Sequence, residues 1–215
     1  KKNIRVGSCQ YSDLATFSFH PVKSITTGEG GMVTTNNAKI HKKLNIIKNH
    51  GIIRKKSNKT YYWSYQVLEP GFNYRLSDIN CALGISQLKK IDKFIKKRKK
   101  LAKLYNEKLK KLKDKIILPK NLSNQESANH LYIVVFKKKL KISRNQLIQK
   151  LYNSGIITQV HYIPVTNQPF YKNYSKKKYK NANHYFENAI SLPMHVNLQN
   201  KDISYICKKI ELYLN

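Results

Sequence analysis

The most constraining feature of the chain is the stretch Phe17-Ser18-Phe19-His20-Pro21-Val22-Lys23-Ser24-Ile25-Thr26-Thr27-Gly28-Glu29-Gly30-Gly31. An apolar, β-leaning run from Leu14 to Phe19 is stopped by Pro21, and Met32-Val33-Thr34-Thr35 resumes strand character after Gly28, Gly30 and Gly31. A sharp, glycine-rich bend therefore joins two strands, and it carries one lysine, Lys23, at the end of the first. Glycine at such a bend lets the main chain turn tightly and approach a bound group closely. A lysine amine attacks a carbonyl only when neutral, a form favoured by desolvation or by a neighbouring cation. The plainer alternative is a solvated lysine in a turn, in line with the ordinary surface preference of lysine.

At 215 residues the chain is long enough for one large or two small domains with a sizeable core. Its 42 Lys and Arg against 11 Asp and Glu give a net charge of +31, which raises a polyanion as partner. The lysines, however, are spread along the sequence. The densest run, Lys89 to Lys115, keeps Leu88, Ile91, Ile95, Leu101, Leu104 and Tyr105 close to helical spacing, so its charges are expected on the solvated face of a helix. A basic RNA- or polyanion-binding protein stays open as the alternative from another class, with an affinity that falls steeply with salt.

Cys9, Cys81 and Cys207 are odd in number and lack metal or redox spacing, so buried thiols in a reducing compartment are expected, without disulfide or zinc. No apolar run approaches the ~18 residues of a membrane helix, and no secretory signal opens the chain. A cytoplasmic location is the expectation.

Ala38 to Asn49 reads as a helix with Ile40, Leu44, Ile46 and Ile47 on one side and Gly51 placed to cap it. Residues 54–70 are polar and carry the cluster Tyr61-Tyr62-Trp63-Ser64-Tyr65, which suits a subunit interface or, second, a nucleotide platform. Ser77 is placed to cap a helix whose apolar Ile79, Leu83 and Leu88 face inward. After a polar link from Pro119 to Ser127, His130 to Phe136 reads as a buried strand. Ser143 caps a helix, Arg144 to Ser154, that ends at Gly155, and Ile156 to Tyr162 reads as another strand. A last helix runs from Asp202 to Leu214 with Ile203, Ile206, Ile210 and Leu214 inward. Residues 1–115 and 116–215 are thus expected as two domains of an α/β chain, the second a small α+β domain reached through the long basic helix. His161, on the polar tip of Gln159 to Val165, is either a satisfied core histidine or a site residue.

Taken in order, SFHPVKSITTGEGG, HGI, GFNYRLSDINCALGISQLKK, HLY, QVHYIPV and ISLPMH cover essentially the whole chain. Together they resemble the DegT/StrS-type sugar aminotransferases, pyridoxal-phosphate enzymes that put an amino group on a keto sugar. The resemblance implies the C-terminal part of a fold-type I aminotransferase: residues 1–115 as the later part of the large cofactor-binding domain with its linking helix, and 116–215 as the small domain. It makes Lys23 the catalytic Schiff-base lysine, Ser18 a ligand of the cofactor phosphate, and Asn73 a reach across to the phosphate of a neighbouring subunit, hence a homodimer with shared sites. His161 and Tyr162 would line the sugar side; His195, in ISLPMH, would shape the closure of the domain.

The implied substrates are glutamate as amino donor and a UDP- or dTDP-linked 4-keto-6-deoxy sugar, nearest the branch that leads toward pseudaminic acid. Nucleic acid and membrane are not expected as partners. In this family the aspartate that pairs with the pyridine nitrogen, the aromatic that stacks on the ring and further phosphate ligands lie upstream of the lysine segment, before Lys1. Asp13 stands too close to Lys23 and outside the pattern. The sequence is therefore expected to be the second half of a longer enzyme, either whole in its natural form or a fragment that binds the cofactor weakly.

Overall fold

The computed structural model describes residues 4–54, 61, 63–137, 140–171, 173–174 and 179–215. The chain divides into two compact units, Lys1–Ile91 and Asp92–Asn215.

In the first unit, β1 (Ala15–Ser18) and β2 (Gly31–Thr34) pair antiparallel, from Ala15 opposite Thr34 to Ser18 opposite Gly31. The lysine segment is therefore the loop of a hairpin. Helix α1 (Ala38–Ile47) is capped by Asn37, whose side chain accepts from the amides of Lys39 and Ile40. A short antiparallel pair, β3 (Ile52–Ile53) and β4 (Gln66–Val67), follows. Helix α2 (Asp78–Leu88) begins at Ser77, whose hydroxyl accepts from the Asn80 amide, as its cap position predicts.

The expected inward face of α2 is not inward. Ile79, Leu83 and Leu88 are 84%, 40% and 56% exposed, and among the described residues of this unit no apolar side chain is fully buried. Helical spacing reports that a face is apolar, and only a second layer can bury it. Tyr61, Trp63 and Tyr65 are exposed as well, with Tyr61 and Trp63 edge to face at 5.7 Å. Tyr62 and residues 55–60 lie outside the described residues.

The second unit holds the core. Helix α3 (Ile91–Leu109), the long basic helix expected to link the two domains, turns Leu101, Ala102, Tyr105 and Leu109 into this unit's apolar cluster. Lys93, Lys96, Lys100 and Lys103 stand on its solvated side, as expected of the basic run, but Arg98 is 6% exposed. Three antiparallel strands lie in the order β5 (Ile116–Ile117), β6 (Tyr132–Phe136), β7 (Ala189–Leu192), with every residue of β7 buried. Helices α4 (Arg144–Tyr152), α5 (Lys180–Asn188) and α6 (Asn200–Leu214) complete the unit, and Leu147, Leu151, Ile203 and Ile210 from α4 and α6 are fully buried.

Ser143 and Gln146 form the reciprocal cap of α4. Helix α6 starts two residues before Asp202, because that carboxylate accepts the Gln199 amide at 2.8 Å and closes the cap. The strand expected over 156–162 is not formed. The Ile156 amide is spent on the Leu151 carbonyl in turning the chain out of α4, and Gln159 alone pairs with the outer side of β7, at Ser191.

Among the described residues no group of three His, Cys, Asp or Glu side chains could hold a metal ion. No helix there is long and apolar enough to cross a membrane. The three cysteines are free; Cys9 and Cys81 are half-buried rather than buried, and Cys207 is buried. Desolvation pushes the Cys207 thiol up to about 12, so it carries almost no thiolate near neutrality. Iodoacetamide at about pH 8 should alkylate Cys9 and Cys81 well before Cys207, which reacts only on unfolding. Peptide mass mapping of a time course reads this order; early label on Cys207 would contradict it.

Candidate active site

The lysine loop is built on the main chain of Phe19. Its N–H donates to the Gly30 carbonyl at 2.9 Å, one step beyond the last strand pair, and closes the base of the loop. Its carbonyl accepts from the Thr27 amide at 3.1 Å and from the Thr26 hydroxyl at 2.9 Å. The Thr26 hydroxyl in turn accepts the Gly28 amide at 2.9 Å, and the Thr27 hydroxyl, on a residue 2% exposed, donates to the Glu29 carbonyl at 2.7 Å. At the far end, Lys23 N–H donates to the His20 carbonyl at 3.0 Å, a turn that Pro21 is suited to make.

Lys23 is half-buried, and its ammonium has no ion pair among the described residues. Ser18, five residues earlier at the end of β1, is exposed, and among the described residues its hydroxyl accepts only a long contact of 3.4 Å from the His20 amide. Ser18 and Lys23 thus share one braced loop.

Helix α2 ties this loop down. The Asn80 amide donates to the carbonyls of Thr27 and Glu29, and the Ser77 hydroxyl donates to the Asn80 side-chain oxygen. Thr26, Thr27 and Asn80 were not singled out from the sequence. The available signal was the SDIN string itself, which puts an asparagine on the first turn of a capped helix.

Asn73 is positioned by a clasp of backbones. Gly51 has φ +70°, and a Cβ there would lie 1.7 Å from the Glu69 carbonyl oxygen, while one on Gly71 would lie 2.1 Å from the Gly51 nitrogen. Only hydrogen fits at either place. Across this contact the Phe72 amide donates to the Ile47 carbonyl, the His50 amide to the Phe72 carbonyl and the Tyr74 amide to the Lys48 carbonyl, at 2.7 to 2.9 Å. The HGI and GFN strings are thus one physical unit, which pairs Asn73 with Asn49 and leaves Asn73 exposed.

His161 and Tyr162 belong to the second unit. Gln159 and Ser191 exchange both main-chain hydrogen bonds, at 2.8 and 3.1 Å, and His161 Nδ1 lies 2.7 Å from the Ser191 hydroxyl. The Tyr162 ring stands edge-on to the imidazole at 4.7 Å and is 73% exposed. His195 is exposed on a turn that α3 holds: Arg98 Nη1 donates to the Met194 carbonyl at 2.8 Å and to the His130 carbonyl at 3.0 Å, and the Tyr105 hydroxyl donates to the Pro193 carbonyl at 2.9 Å. Burial lowers the Arg98 pKa and raises that of Tyr105.

The model of the DegT/DnrJ/EryC1/StrS aminotransferase family matches residues 2–211. The chain belongs to this family. It is 36% identical over 206 residues to the UDP-4-amino-4,6-dideoxy-N-acetyl-beta-L-altrosamine transaminase of Campylobacter jejuni, a match that covers 95% of this chain and 53% of that protein. Its structure is similar to Helicobacter pylori PseC, an aminotransferase involved in the biosynthesis of pseudoaminic acid, with a TM-score of 0.90 and 31% identity over 100% of this chain and 56% of that one. It is also similar to Streptococcus pneumoniae Spr1654 in its PLP form, with a TM-score of 0.83 and 30% identity over 95% of this chain and 52% of that one.

The chain spans about half the length of the curated relatives it matches. Its fold is accordingly that of part of a pyridoxal-phosphate-dependent, fold-type I aminotransferase. The residues of the DegT/DnrJ/EryC1/StrS loop fit such a cofactor at two of its ends: Lys23 offers an amine for an aldehyde, and Ser18 offers a strand-end hydroxyl, engaged only by a long contact, for phosphate oxygens.

Gly51→Ala should open the clasp at a cost of at least about 2 kcal/mol, since the new Cβ meets backbone rather than a movable side chain. Hydrogen exchange reads the result as lost protection at the Phe72 and Tyr74 amides with β6 unchanged. Retained protection at both amides would show that the contact is not needed.

Proposed function

We propose that this chain carries the cofactor lysine of an aminotransferase that converts a nucleotide-linked 4-keto-6-deoxy sugar to the 4-amino sugar, with glutamate as donor. The observation that carries the reading is the braced hairpin loop, which holds Lys23 and Ser18 together in a chain of the DegT/DnrJ/EryC1/StrS family. The likeness to the altrosamine transaminase of Campylobacter jejuni and to PseC, an enzyme of pseudoaminic acid biosynthesis, supports a substrate of the pseudaminic acid type.

In this reading the Lys23 amine would hold the cofactor through its aldehyde carbon. The same amine, when free, would take a proton from the amino donor's α-carbon and, in the second half of the transfer, deliver one to the sugar carbon that receives the amino group, as general base and then acid. A flexible four-carbon stem on a rigid loop suits that exchange, because Nζ can move while its root stays fixed. The Ser18 hydroxyl donates to the cofactor phosphate. The Asn73 amide, with two donors, does the same in a neighbouring copy of the chain, which makes the working unit a homodimer. His161 and Tyr162 contact the sugar. Pyridoxal phosphate, when bound, supplies the electron sink for the carbanion. A cytoplasmic site of action belongs to the same reading.

Borohydride reduction in the presence of pyridoxal phosphate, followed by peptide mass mapping, should place the label on Lys23. Lys23→Arg should lose that label, keep its far-UV circular dichroism, and lower transamination by roughly a hundredfold to ten-thousandfold. Label scattered over surface lysines, or none on a full-length form, would sink the proposal.

A further inference from the structure

We propose that Ser191 is a positioning residue that fixes His161 in its Nε2–H tautomer, so that the imidazole offers a hydrogen-bond donor to an oxygen of the nucleotide sugar. The assignment rests on the reading of His161 as a sugar-side residue given above.

Ser191 sits in the middle of β7 and is 5% exposed. Its main chain is fully committed: the N–H donates to the Gln159 carbonyl at 2.8 Å and the carbonyl accepts the Gln159 amide at 3.1 Å, both on the side away from β6. Its hydroxyl has one partner among the described residues, His161 Nδ1 at 2.7 Å. A buried hydroxyl whose hydrogen finds no acceptor carries the cost of an unmade bond. Were Nδ1 to carry the proton, it would donate into the serine oxygen and strand the serine hydrogen inside the protein. With the proton on Nε2 instead, the hydroxyl donates to Nδ1 and both groups of the pair are satisfied.

The far side of the ring is arranged to use that proton. His161 is half-buried, and its Nε2 has no hydrogen-bond partner among the described residues. The Gln159–Ser191 exchange anchors the segment two residues before His161, and the Tyr162 ring meets the imidazole edge-on at 83°. The imidazole is thus held at its root, at Nδ1 and on one side, with a single N–H left without a partner among the described residues. A donor fixed in this way selects an oxygen acceptor, such as a keto, hydroxyl or phosphate oxygen, and gives nothing to a group that can only donate.

Long-range proton–nitrogen correlation on the ¹⁵N-labelled chain, with His161→Gln used for assignment, reads the tautomer directly. In the wild type, His161 Nδ1 should resonate in the unprotonated range and Nε2 in the protonated range. Ser191→Ala should give a mixture of tautomers, and Ser191→Thr, which keeps the hydroxyl, should restore the wild-type pattern. On titration with UDP-N-acetylglucosamine, the Nε2–H signal should move downfield in the wild type and in Ser191→Thr. Ser191→Ala should bind about tenfold more weakly.

An Nδ1–H imidazole in the wild type, an unchanged tautomer in Ser191→Ala, or an Nε2–H signal indifferent to the nucleotide sugar would each overturn the proposal. Borohydride labelling separates this from the aminotransferase reading. Label on Lys23 beside an Nδ1–H imidazole sinks the tautomer alone; the expected tautomer with no label on Lys23 sinks the aminotransferase.

Discussion

Three hydrogen bonds meet on the main chain of Phe19, and the lysine loop owes its form to them. None involves the Phe19 side chain, so what fixes Lys23 is the path of the backbone around it. Each such bond contributes only about 1 kcal/mol net, but together they leave the loop few alternative closures. A side chain on the loop can then be mobile at its tip without being mobile at its root. The brace from Asn80 adds a fixed point outside the hairpin, on the first turn of a capped helix.

The two units are stabilised by different means. The second has a contiguous apolar cluster in which α3, the β5–β7 sheet, α4 and α6 each bury several side chains. The first, among its described residues, relies on main-chain closures, the Phe19 knot and the Gly51–Gly71 contact, and on the side-chain caps of Asn37 and Ser77. Main-chain closures fix local geometry well and contribute little apolar burial. The same unit therefore holds well-defined loops together with an open apolar face on α2.

Features set by neighbours in sequence were legible in the sequence. Pro21 and the glycines from Gly28 to Gly31 punctuate the hairpin, Ser77 and Ser143 cap their helices, and Ser18 and Lys23 share a loop because they share a segment. Features set by pairing were not legible. Nothing in Ile156 to Tyr162 says that one residue alone will pair with β7, and nothing in a serine thirty positions beyond His161 says that the two will meet. Arg98 was hidden for another reason: within a run of lysines, a buried cation has the same spelling as a solvated one, and only the three carbonyls around it reveal the difference.

That guanidinium has a mechanical consequence. From one side chain on α3 it grips the segment entering β6 and the segment leaving β7, so neither strand end can fray without pulling on the other. The helix acts as a tie-rod across the open ends of the sheet, and the turn carrying His195 moves in step with the approach to β6.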